Sequence, residues 1–300
     1  MTELLHYEFM RRALIAALLV GLVTPIIGTY LVQRRLALLG DGIGHVALTG
    51  VALGLLTSTS PVLTAAVVAT LGAVLIELVR VRTRTSGDVA LALLFYGGIA
   101  GGVLLIGLTP GASNATLVSY LFGSVSTVEE ADLWVVGVLA VGVIAVVAVF
   151  GRELFVLCQD EEVARAHGLP VRFLSVLLAV TAALTVVIAM RVVGVLMVSA
   201  LMIVPVAAAQ QLTRSFRVTM TLAVLIGLLS SVGGLATSFH ADLSPGATIV
   251  ILALAVFCVA VAVGGVLRRA SNGRTPATLG PTGAGPADTM PETDRGRVTP

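Results

Sequence analysis

Lysine is absent from this 300-residue chain, so all eighteen basic residues are arginines. A Walker A loop needs a lysine to reach nucleotide phosphates, and a Schiff-base enzyme needs one as its nucleophile, so neither is encoded here. Charge of either sign is scarce. Acidic and basic residues make up 11% of the chain against 57% apolar ones, roughly half the charge of an ordinary soluble domain, which excludes a water-soluble globule. A net charge of +2 gives nucleic-acid binding no electrostatic support. The two cysteines, Cys158 and Cys258, have no metal-type spacing and read as ordinary buried or cytosolic thiols. No H-E-x-x-H spacing occurs, which counts against an intramembrane metal hydrolase. The first apolar run outlasts a signal-peptide core and ends at Arg34-Arg35 without a small-residue cleavage site, so it reads as a membrane span.

What the chain does have is a series of apolar runs, each long enough for a helix to cross about 30 Å of hydrocarbon; the alternation of a membrane barrel is missing. The fold class is therefore all-α, a polytopic helix bundle with eight or nine transmembrane helices. Residues 1–12 read as an interfacial segment, 13–269 as the membrane domain with a cytosolic loop at 151–172, and 270–300 as a disordered Pro/Gly/Thr tail. Spans are expected at about 13–32, 36–56, 62–79, 89–108, 133–150, 173–190, 193–209, 218–238 and 247–267. Pro205 should bend or break the seventh run, Gly233-Gly234 the eighth, and Arg191 should snorkel. Arginine bias places residues 34–35, 80–84, 152–172, 214–217 and 268–269 in the cytosol, which nine crossings satisfy with the N-terminus outside; Arg11-Arg12 weighs against that start.

Two stretches carry chemistry. In LGDGIGHVALTGVALG, residues 39–54, Asp41 and His45 stand four apart and so share one face of a helix. An ionisable residue in hydrocarbon costs several kcal/mol unless it meets a partner or a cavity, so the pair reads as a metal grip on a pathway. The competing readings are a helix cap or an Arg34/Arg35 partner for Asp41, and a carbonyl-bonded buried imidazole for His45. A second pair, His240 and Asp242, joins them as candidate ligands provided its turn folds back toward the pathway; an exposed loop histidine and an N-cap-like aspartate explain it almost as well. Glu77 reads as a span-end carboxylate paired with Arg80, Arg82 and Arg84, and His6 as interfacial. The second stretch, DEEVARAHGLPV at 160–171, reads as a short amphipathic helix with acids in its first turn and Gly168 and Pro170 as stops. Such a helix is a docking element or a solvated charged loop. The glycines Gly40, Gly42 and Gly44 lack nucleotide-loop spacing and serve close helix approach or local unwinding.

Three blocks together resemble the membrane permeases of bacterial ABC importers for manganese, zinc and iron: Gly40, Asp41, His45, Leu48 and Gly50; Asp160, Ala164, Gly168, Leu169 and Val171; and Gly194, Leu196, Val198, Ala200, Leu201 and Pro205. YLFGS at 120–124 and SPGAT at 244–248 also match in position and spacing, and the similarity spans residues 14–267. The resemblance implies a type II importer permease fold in the bacterial cytoplasmic membrane, with no catalytic residue and no permanently bound cofactor. It implies a separate cytosolic ABC ATPase docked on the coupling residues Asp160, Glu161, Ala164, Gly168, Leu169 and Val171. It also implies an extracellular metal-binding protein, a second permease chain in a homodimer, and Mn²⁺ or Zn²⁺, with Fe²⁺ a further candidate, moved inward by alternating access. The alternative is a self-sufficient proton-coupled carrier using Asp41, which would leave 160–171 without a purpose.

Overall fold

The computed structural model describes residues 8–82, 87–110, 114–124 and 130–272. The first seven residues of the interfacial segment, Arg84, and the tail beyond 272 lie outside the described residues. The chain divides into two compact units, Met1–Gly264 and Gly265–Pro300, and the first holds the helix bundle.

Every described element is helical: α1 Glu8–Gln33, α2 Ala37–Leu56, α3 Pro61–Arg82, α4 Gly87–Leu108, α5 Asn114–Phe122, α6 Glu130–Gln159, α7 Glu161–Ala166, α8 Val171–Met190, α9 Val195–Leu212, α10 Phe216–Ala241 and α11 Pro245–Asn272. Among the described residues nine helices are long and apolar enough to span a membrane; α5 and α7 are not among them. The all-α, polytopic reading and its upper span count hold.

Four local expectations are corrected. The helix of the fifth span does not stop with the apolar run at Phe150, because α6 continues to Gln159. The added turns are amphipathic, burying Leu154, Leu157 and Cys158, and nothing in GRELFVLCQ stops a helix. Gly233-Gly234 does not break α10; a Cβ at Gly234 would lie 2.5 Å from the Cα of Ile249, so the glycine lets α11 approach. Likewise α9 runs unbroken through Pro205. Arg191 does not snorkel; its guanidinium forms an ion pair with buried Asp132 and lies 5.2 Å from the centre of the Tyr120 ring.

Helix α2 sits inside the bundle, packed on α4 most extensively and also on α3, α9 and α8. The α2–α4 approach is at backbone level. A Cβ on Gly98 would lie 2.6 Å from the carbonyl carbon of His45, and Thr49 Oγ1 donates to Gly98 O at 2.7 Å. The unwinding considered for Gly40, Gly42 and Gly44 does not occur, since α2 is continuous. At the opposite end, the three glycine motifs meet. Ser244 Oγ donates to Phe122 O at 3.2 Å, Gly123 and Gly194 take φ of +77° and +84°, and Cβ atoms at Gly123 and Gly246 would collide with the 192–193 backbone. YLFGS, VVGV and SPGAT are thus three sides of one backbone junction.

Two neighbouring glycines provide a controlled test of this packing. Gly98→Ala should destabilise the purified protein by about 1–3 kcal/mol, as overpacking does. Gly97→Ala, where a Cβ would meet nothing within 4 Å, should be neutral or slightly stabilising. Thermal unfolding in detergent checks both; equal behaviour of the two variants would mean that the close approach at Gly98 carries no energy.

Candidate functional site

Asp41 lies in the second turn of α2, half-buried, and accepts a hydrogen bond from Ser199 Oγ of α9 at 3.3 Å. It borders a cavity of about 290 Å³ between α2 and α4, walled by Leu38, Leu91, Phe95 and Tyr96. One turn on, His45 is 4% exposed, with Phe95 set edge-on at 4.4 Å. Its Nδ1 is buried without a hydrogen-bond partner. The competing readings lose their support. Leu36, not Asp41, occupies the helix cap; Arg34 bonds Ser175 and Glu161 rather than Asp41; and no carbonyl receives His45 Nδ1. A buried imidazole nitrogen left unpaired costs about 1–3 kcal/mol, and a ligand brought from outside would relieve that cost. Nitrogen and carboxylate oxygen on one helical face suit a divalent transition metal. Among the described residues no three His, Cys, Asp or Glu side chains cluster.

The structure does not bring His240 and Asp242 to that pair. His240 belongs to the last turn of α10, exposed, with Nδ1 2.8 Å from Ala236 O, and Asp242 is an exposed left-handed C-cap at φ 53° rather than an N-cap. Helix α10 runs antiparallel to α1, since Gly21 faces Gly227 and Ser231 while Tyr30 meets Phe216. Because α2 starts where α1 ends, helix rise puts His240 and Asp242 roughly 30 Å deeper along the bundle than Asp41, at its other end.

The 160–171 stretch folds as a mounted helix. Asp160 caps α7, its Oδ1 accepting from the N–H groups of Glu162 at 2.7 Å and Val163 at 3.2 Å. Ala164 is fully buried beneath it. Gly168 at φ +75° reverses the chain, Leu169 packs on the core and donates its N–H to Ala164 O at 3.1 Å, and Val171 opens α8. These motif residues build and anchor the helix. Asp160, Glu161 and Gly168 remain exposed, and Glu162, Val163, Arg165 and His167 complete the outward face.

A further residue emerges from the contacts alone. Arg34, in the link between α1 and α2, donates from Nη1 to Ser175 Oγ of α8 at 3.0 Å and from Nη2 to Glu161 Oε2 of α7 at 3.2 Å, with its side chain 7% exposed. Burial lowers its pKa from the ordinary guanidinium value and Arg80 adds to this, while Cys158, Glu77 and Glu161 act the other way. Glu161 also pairs with Arg165, and Glu77 with Arg80 at 3.1 Å as expected of a span-end carboxylate. One guanidinium therefore ties α7 to the base of the helix that carries Asp41 and His45.

Comparison with known proteins agrees with this architecture. The Listeria innocua manganese transport system membrane protein MntC is 34% identical over 86% of this chain and 91% of its own. The high-affinity zinc uptake system membrane protein ZnuB of Haemophilus influenzae is 28% identical over 84% and 96%. The structure of PsaBC from Streptococcus pneumoniae in complex with Fab superposes with a TM-score of 0.78 at 30% identity, covering 86% of this chain and 92% of that one. Residues 6–264 match the ABC 3 transport family, and the chain, a multi-pass protein of the cytoplasmic membrane and a transport subunit, belongs to it.

Proposed function

We propose that this chain is the permease of an ABC importer that carries Mn²⁺ or Zn²⁺ into the cell by alternating access. The observation that carries the reading is the unpartnered His45 Nδ1 one helical turn from Asp41, which borders a cavity, in a chain whose relatives are named for manganese and zinc transport. The carboxylate supplies charge neutralisation and the imidazole selectivity over calcium and magnesium, which prefer oxygen alone. A second copy of the chain, related by a twofold axis, contributes the same two groups, so that four protein ligands surround the ion. His240 and Asp242, at the outer end, meet the ion or its extracellular binding protein before the pathway and are not part of the Asp41–His45 site.

Energy comes from a separate cytosolic ATPase, since a chain without lysine has no Walker A loop. It docks on the outward face of α7, and movement of α7 passes through the Glu161–Arg34–Ser175 tie to the base of α2.

In cells lacking their own importers and supplied with this permease, its ATPase and its binding protein, wild type should raise cellular manganese or zinc, read by elemental mass spectrometry. Asp41→Ala and His45→Ala should abolish the rise at equal membrane expression, whereas His240→Ala should lower it only in part. Accumulation by the first two variants equal to wild type would sink the pathway assignment.

In the reconstituted transporter, Arg34→Ala should retain ATP hydrolysis yet move about tenfold less metal per ATP, the size of a typical coupling free energy. Arg34→Lys should recover part of it. A parallel fall of hydrolysis and transport would instead mean that Arg34 only holds the fold. Val163→Asp, on the exposed face, should prevent co-purification of the ATPase while leaving the permease folded.

A further inference from the structure

Helices α1, α6 and α10 line a separate, open-sided cavity of about 550 Å³ whose walls divide by depth. Arg152 of α6 and Arg217 of α10 supply two guanidiniums to it, and no carboxylate lines it. Both arginines are exposed, and neither forms an ion pair or a side-chain hydrogen bond among the described residues. Arg152 stands two residues past Phe150, where the apolar run of α6 ends, and Arg217 in the first turn of α10. Both lie at the α7 end of the bundle, the cytosolic end by arginine bias, and so at headgroup depth.

The wall changes character one turn further into the bilayer. Val147 precedes Arg152 by five residues and Met220 follows Arg217 by three, so both apolar side chains lie roughly 5–8 Å deeper. Three aromatic rings pack together in its wall: Phe216 lies 5.3 Å from Tyr30 and 4.7 Å from Phe155. A ligand that satisfies this cavity is anionic at one end and apolar at the other. A free phosphate would pair with the arginines but leave Val147 and Met220 uncovered, and a neutral lipid would leave both guanidiniums unpaired.

We infer that the cavity between α1, α6 and α10 binds an anionic phospholipid of the inner leaflet, its phosphate between Arg152 and Arg217 and an acyl chain along Val147 and Met220. Basic pockets between transmembrane helices on the cytoplasmic side recognise lipid headgroups by this chemistry. The occupied site bridges α10 to α6, and α6 leads within one residue into α7, so the lipid braces the segment on which the ATPase-facing helix is mounted.

The test uses the full-length chain in detergent, titrated in native mass spectrometry with phosphatidylglycerol, phosphatidylcholine or inorganic phosphate. Wild type should bind phosphatidylglycerol about tenfold or more tightly than phosphatidylcholine, at roughly 1 kcal/mol per arginine near the headgroup. The double variant Arg152→Gln/Arg217→Gln should lose that preference, and Arg172→Gln, outside the cavity, should keep it. Met220→Trp, which fills the acyl wall and leaves both arginines, should also weaken phosphatidylglycerol binding. A preference that survives the double variant overturns the assignment. So does inorganic phosphate binding as tightly as the lipid, which would make this a free-anion site, or no preference in wild type.

Discussion

In hydrocarbon, apolar helix faces gain little by hiding from one another, because lipid tails are as apolar as leucine; close packing, hydrogen bonds and lipid entropy must hold a bundle together. This chain meets that constraint by bringing backbones to within side-chain-free distance. Gly98 lies against the His45 peptide, Gly50 would place a Cβ 2.6 Å from the Ala65 Cα, and Gly21 would place one 2.9 Å from Gly227 O. The same device sets the geometry of the candidate site. With α4 pressed onto the backbone of His45, the imidazole has little room to leave the Phe95 ring, and its nitrogen stays unpaired because the packing gives it no polar neighbour.

Charge is placed in a way that complements the packing. Glu77 and Asp132 are buried and each is held by an arginine, Arg80 and Arg191, near a helix end. Asp41 differs in that its partner is a serine hydroxyl and its other side borders a cavity. A carboxylate given a weak neutral partner keeps capacity for a cation, whereas one given a guanidinium is already neutralised. The contrast between these three acids supports a pathway role more strongly than the mere presence of Asp41 in an apolar helix.

Much of this is legible in the sequence, for reasons that also explain what is not. Span lengths, the Asp41–His45 register and the stops of α7 depend on neighbours within a turn or two, and local spacing reports them. The extension of α6 escapes a reading by composition, which turns polar at Arg152 and Glu153 while the inward positions Leu154 and Leu157 stay apolar; the period continues after the average has changed. Arg34 reads only as part of a positive loop, since its partners Glu161 and Ser175 are 127 and 141 residues away. Chemistry groups His240 and Asp242 with Asp41, yet the direction of α10 puts them at the other end of the bundle. The motif 160–171 shows its cap and its stops in the sequence, because Asp160, Gly168 and Pro170 act on their immediate neighbours, whereas the burial of Ala164 depends on tertiary packing.

The way α7 is mounted bears on how a permease of this design would be driven. A docking helix fixed only through its own caps would rotate freely under load and transmit little. Here α7 is six residues long, is followed by a left-handed glycine and is pinned from within by buried Ala164. Glu161 at its first position is gripped by Arg34, which also holds Ser175. A push on the outward face therefore divides between α8, through Ser175, and the α1–α2 link, through the Arg34 backbone. Asp41 lies only two turns beyond that link. Because α2 is wedged between α3 and α4 at backbone distance, it cannot absorb the push by bending side chains aside. A tilt or slide of α2 as a rod would carry Asp41 and His45 together, changing the distance from Asp41 to whatever faces it across the cavity while keeping their own spacing. On the proposed reading, the ion would then be released by separating two intact ligand pairs rather than by dismantling either one.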